Sequence, residues 1–163
     1  TPLPAGVASA DLIRAFNVLR QYDENQVGDA WRRMQSRLSE DGLLIEGTCD
    51  EIGRLSTWVT LDRHSPLTLS ISLRLTDLEL PSKVAERLPK VLIHRNVPGE
   101  GIHDFLNALD RAWLTNASLG SLSPVQRWVA TCEQLAKEWP IKINRKRWRL
   151  GELTIDWSAV APN

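Results

Sequence analysis

The sequence predicts an α/β fold, in which parallel strands are followed by an antiparallel hairpin and helices pack on the sheet. Three observations carry this. Two apolar runs, Ala10 to Phe16 and Leu43 to Ile45, flank a stretch of helical periodicity. Next comes strict two-residue alternation from Leu67 to Leu75. The second half returns to a period near 3.6. The chain has 163 residues, so a single domain, 1–163, is expected.

The first strand, "ADLIRAFNVLRQY", is mostly apolar and suits a sheet interior, interrupted by Arg14 and Asn17. Asp23 reads as an N-cap, with Gln26 three residues on. Val27, Ala30, Trp31, Met34 and Leu38 then form one apolar helical face, and Arg32, Arg33, Gln35 and Arg37 take the wet side. Ser39 to Gly42 is expected to end this helix with a left-handed glycine. Leu43, Leu44 and Ile45 open the second strand. A crossover of this length implies parallel neighbours.

Segments 56–62 and 67–75 alternate, with Leu67, Leu69, Ile71, Leu73 and Leu75 on one side, and read as a hairpin joined by Arg63 to Pro66. Helices are expected over about 82–88, stopped by Pro89, and over about 101–116. A third starts at Ser123-Pro124, with Trp128, Cys132, Leu135 and Trp139 inward and Pro140 at its end. "LIHRNVPGEG" is a loop. The tail, "IKINRKRWRLGELTIDW", reads as two short strands.

Composition narrows the function. The formal net charge is zero, so no whole-molecule attraction to nucleic acid or acidic membranes is indicated. Two cysteines in unrelated contexts, Cys49 and Cys132, form no disulfide framework or zinc spacing, and point to a reducing, cytoplasmic setting. No apolar run is long enough for a membrane span. His94 and His103 lack a third ligand, so no metal is expected. The seven tryptophans fall within apolar patterns and read as core.

Two of these segments carry a resemblance. "ADLIRAFNVLRQY" followed by "AWRRMQSRLSEDGLLIEGT" resembles the carboxyl-terminal half of Rossmann-like methyltransferases that use S-adenosylmethionine. In that family the fourth strand begins with Asp and an apolar pair, as Asp11-Leu12-Ile13 does, and runs into an "NVL"-type segment, here Asn17-Val18-Leu19. A helix ending in an "RL-x-x-G-G"-style turn leads to the fifth strand. Arg37 to Ile45 is similar, with Asp41 replacing the first Gly. The match covers about residues 10–50. "EGTCDEIGR" is similar to bacterial members without an assigned substrate.

The resemblance implies a part of a Rossmann-like sheet, S-adenosylmethionine as cofactor and a small-molecule methyl acceptor. It places Ala15, Phe16 and Asn17 near the sulfonium end of the cofactor. Asn17 has an alternative as a turn-former. Glu46, Asp50 and Glu51 follow the fifth strand as candidate general bases or amine ligands, or else as a solvated acidic loop. The family's glycine-rich loop and ribose-binding acid have no counterpart in these 163 residues; "GEGIHD" (99–104) follows no strand. The cofactor loop is therefore expected upstream of Thr1. Strand 10–18 is then expected to present a free edge, covered by the N-terminal segment or by a second copy in a homodimer.

A second reading is a non-catalytic binding or assembly module. Its working surface would be the basic stretch 142–149, with Lys142, Arg145, Lys146, Arg147 and Arg149 for phosphates and Trp148 for stacking. The competing reading is an amphipathic strand with Trp148 and Leu150 inward.

Overall fold

The computed structural model describes residues 9–163. Five strands lie in the sheet in the order of the chain: β1 (Ala10–Phe16), β2 (Leu38–Cys49), β3 (Leu55–Leu61), β4 (Pro66–Leu73) and β5 (Glu152–Asp156). β1 and β2 are parallel and every other pairing is antiparallel. The parallel pair is joined by α1 (Glu24–Gln35). Gln26 reaches back at its start, its Oε1 accepting the Asp23 N–H at 3.0 Å.

Alternation along the strands separates two faces. Leu44, Val59, Leu61, Leu69, Ile71, Leu73, Leu153 and Ile155 share one face and merge with the buried residues of the helices in a single core. These helices are α1, the short α2 (Lys90–Ile93), α3 (Gly101–Thr115) and α4 (Pro124–Leu135). α4 starts as expected, with Ser123 Oγ accepting the Val125 N–H at 3.1 Å. Trp113 of α3 and Trp128 of α4 meet edge to face at 6.2 Å, worth about 1 kcal/mol beyond the area they bury. The opposite face is wetter, with Leu12, Arg14 and Leu43 exposed and Trp58 and Thr60 half-buried.

Several elements differ from expectation. α1 ends at Gln35 and β2 already begins at Leu38, so Ser39 to Gly42 are strand rather than helix cap. Pairing with β1 is the cause: the Ala10 N–H donates to the Arg37 carbonyl at 2.8 Å, and Leu38 sits opposite Ala10. Gly42 is required by closeness, since a Cβ there would lie 2.7 Å from the Ala10 carbonyl oxygen. Pro81–Arg87 is a 3-10 helix, and Pro89 opens α2 rather than only stopping its predecessor.

The tail holds one strand, not two. Asn144 Oδ1 accepts the Arg147 N–H at 3.2 Å and turns Arg145–Trp148 into a short helix, α5. Trp148 is buried as expected, but Leu150 is exposed. Leu67, expected inward, is exposed as well.

The two sheet edges differ. Ile141 bridges Ile155 and covers the outer side of β5. β1 pairs only with β2 among the described residues, and Leu12 on it is 58% exposed. The N-terminal segment expected against it, residues 1–8, lies outside the described residues.

Candidate functional site

Ligands of open α/β sheets sit beyond the carboxyl ends of parallel strands. Here that rim is formed by Asn17 after β1 and by Cys49 and Asp50 at the end of β2. Asn17 has φ +59°, a left-handed conformation that Asn tolerates better than other side-chain-bearing residues. Its N–H donates to the Gly47 carbonyl at 2.8 Å. Its Oδ1 accepts the Cys49 N–H at 3.0 Å, and its Nδ2 donates to Cys49 Sγ at 3.3 Å. Asn17 is thus a turn residue, but its side chain bonds β2 across the seam rather than its own backbone.

The three residues that the resemblance assigns to the cofactor diverge. Ala15 faces the core and is buried. Phe16 lies on the wetter face, 6.4 Å from Trp58, with the Arg14 guanidinium 4.1 Å from its ring centroid. Asn17 alone points to the rim, and Cys49 already engages its carboxamide. These residues do not by themselves form a closed S-adenosylmethionine pocket.

The acidic candidates separate too. Glu46 lies opposite Val59, on the core face, and is 0% exposed. Burial raises its pKa to about 7, with the Trp31 indole opposing part of the rise. Neither carboxylate oxygen, nor Trp31 Nε1, has a partner at hydrogen-bonding geometry. Thr48 stands between Glu46 and the rim on the same face. Glu51 is exposed in the following turn. Asp50 stays at the rim, where its Oδ1 accepts the Arg54 N–H at 2.7 Å and the Leu55 N–H at 3.3 Å.

Asp50 also lines a cleft of about 420 Å³, with Leu55 and Leu78 as its apolar lining. Arg54, Arg74, Lys83 and Arg87 line it as well. Sequence reasoning missed these four because no short motif links residues so far apart in the chain. A second hollow of about 400 Å³ lies between Trp58 and Thr60 on the wetter face and Lys142 and Arg147 of the tail.

The basic stretch is largely neutralised. Lys142 pairs with Asp156, Arg145 with Glu133, and Arg147 with Glu152. His103 Nδ1 lies 3.1 Å from Asn96 Oδ1, a packing contact between loop and helix. No helix among the described residues is long and apolar enough to cross a membrane. Comparison with protein-family models, curated proteins and solved structures found no match to this chain.

Proposed function

We propose that this chain is the carboxyl-terminal part of a methyltransferase that uses S-adenosylmethionine, with a small-molecule methyl acceptor. One observation supports the reading above the others. A parallel strand pair is joined through a capped helix, ends in a left-handed Asn17, and leaves β1 unpaired on its outer side among the described residues. The segments that resemble the family are the ones that build this pair.

In this reading the outer side of β1 receives the strand that carries the glycine-rich loop, contributed by residues outside the chain. Asn17 acts as a positioning residue: it fixes the ends of β1 and β2 relative to one another. Methyl transfer demands mainly aligned reactants in a dry pocket, and alignment alone supplies up to about 7–11 kcal/mol of a barrier.

The test is calorimetry with S-adenosylmethionine on two proteins, the 163-residue chain and the same chain with whatever its coding sequence places before Thr1. The expected result is micromolar binding by the longer protein and none by the shorter. Micromolar binding by the 163-residue chain would overturn the need for an outside loop. Absence of binding by both would overturn the methyltransferase reading.

A further inference from the structure

The rim cleft gathers four cations from three separate stretches of chain, Lys83 and Arg87 sharing one 3-10 helix, and local bonds fix the backbone of three of them. The Arg74 N–H donates to the Arg54 carbonyl at 2.8 Å. Asp50 caps the turn that carries Arg54. The Arg87 carbonyl accepts the hydroxyls of Thr48 and Thr57, both buried at the end of the sheet. Arg54, Arg74 and Arg87 are therefore held at one place by the fold itself.

Their charges are left unanswered. Six ion pairs form among the described residues, and none includes Arg54, Arg74, Lys83 or Arg87. Three carboxylates, Asp50, Asp77 and Glu86, share the cleft with the four cations and leave one net positive charge there. None of the three carboxylates lies within pairing distance of any of the four cations. Guanidinium groups match carboxylate and phosphate oxygens in a two-point geometry. The volume falls within the usual range for small-molecule pockets, and Leu55 and Leu78 offer apolar lining.

We propose that this cleft binds a small molecule carrying a carboxylate or phosphate group, its anionic end on Arg54, Arg74, Lys83 and Arg87 and its body against Leu55 and Leu78. The site stands independently of the methyltransferase reading, since it needs no cofactor.

Amide chemical-shift titration of the 163-residue chain with inorganic phosphate, and separately with citrate, tests it at constant ionic strength held with chloride. The expected result is saturable shifts confined to 50–55, 74–78 and 83–87. The double variant Arg54→Gln/Arg74→Gln, its fold verified from the unchanged remainder of the spectrum, is expected to bind at least tenfold more weakly. Saturation by phosphate alone or by citrate alone identifies the anionic group, and both outcomes support the site. Shifts that grow without saturating, that centre on 142–149, or that persist unchanged in the double variant would overturn it.

Discussion

The Asn17 carboxamide grips Cys49 at two points, its oxygen on the backbone N–H and its nitrogen toward the sulfur. This clamp closes the parallel seam at its carboxyl end, and it is made by a residue whose own backbone is left-handed. Two substitutions separate the contributions. Asn17→Gly removes the side-chain bonds but tolerates the backbone, at a cost of about 1 kcal/mol, since the site is exposed. Asn17→Ala removes the bonds and adds a left-handed penalty of about 1 kcal/mol more. Urea unfolding midpoints are expected to fall in the order wild type, Gly, Ala; an alanine variant as stable as the glycine one would refute the strain.

Glu46 makes stability depend on pH. Its carboxyl titrates near 7 when folded, against an ordinary value of 4.5. Between those values the native state holds a proton that the unfolded chain has released, so stability falls as pH rises through this window. The loss is complete above about pH 7 and amounts to about 3 kcal/mol. Denaturant unfolding at pH 5 and pH 8 is expected to show the drop in the wild type. Glu46→Gln is expected to flatten it and to be the more stable protein at pH 8.

Gly47 has no room for a side chain. A Cβ would lie 2.4 Å from the Thr57 carbonyl oxygen and 2.6 Å from Trp58 Cβ. Gly47→Ala is expected to cost about 3 kcal/mol or to prevent folding, because a displaced β3 would disturb the pairing on both sides. Near-ultraviolet circular dichroism should lose the Phe16–Trp58 signature first. A variant with wild-type melting and spectrum would contradict the close approach.

Arg127 donates from Nε and Nη2 to the Trp113 carbonyl, at 3.0 and 2.8 Å, and its guanidinium lies 3.7 Å from the Trp113 ring centroid. Lysine keeps the charge but lacks the planar fork. Arg127→Lys is expected to destabilise by about 1–2 kcal/mol, seen as a lower thermal midpoint. No change in melting would show that the stack contributes little.

The side of β1 that is unpaired among the described residues invites association. Sedimentation of the 163-residue chain is expected to show mass rising with concentration, and Leu12→Lys is expected to suppress the rise. A strict monomer at every concentration would remove the homodimer through strand 10–18.

What could be read from the residues was the part governed by short-range pattern. The alternation of 67–75 gave β4, although Leu67 turned out exposed, and the Ser123-Pro124 start and Asp23–Gln26 pair marked helix beginnings correctly. Readings failed where a distant partner decided the outcome. Gly42 looked like a helix cap until β1 claimed it for a strand; the basic tail is a local miss instead, since Asn144, three residues before Arg147, caps it into a helix. At the candidate site, Asn17 and Asp50 were legible from their position after strands. The burial of Glu46 was not, because the carboxylate falls on the apolar face of β2, where alternation alone would place a hydrocarbon. Nor was the rim cleft, whose cations meet only after three turns of chain have been laid down.

The strands sit side by side in the order in which a ribosome would release them. β2, β3 and β4 can each zip onto a neighbour already made, so nascent chain as far as Leu73 waits for no strand still to come. The last seam is different: β5 arrives only after residues 74–151 have emerged. During that interval the outer side of β4 is bare, and slow or stalled synthesis within the helical region is when this protein is most exposed to sticking to its neighbours.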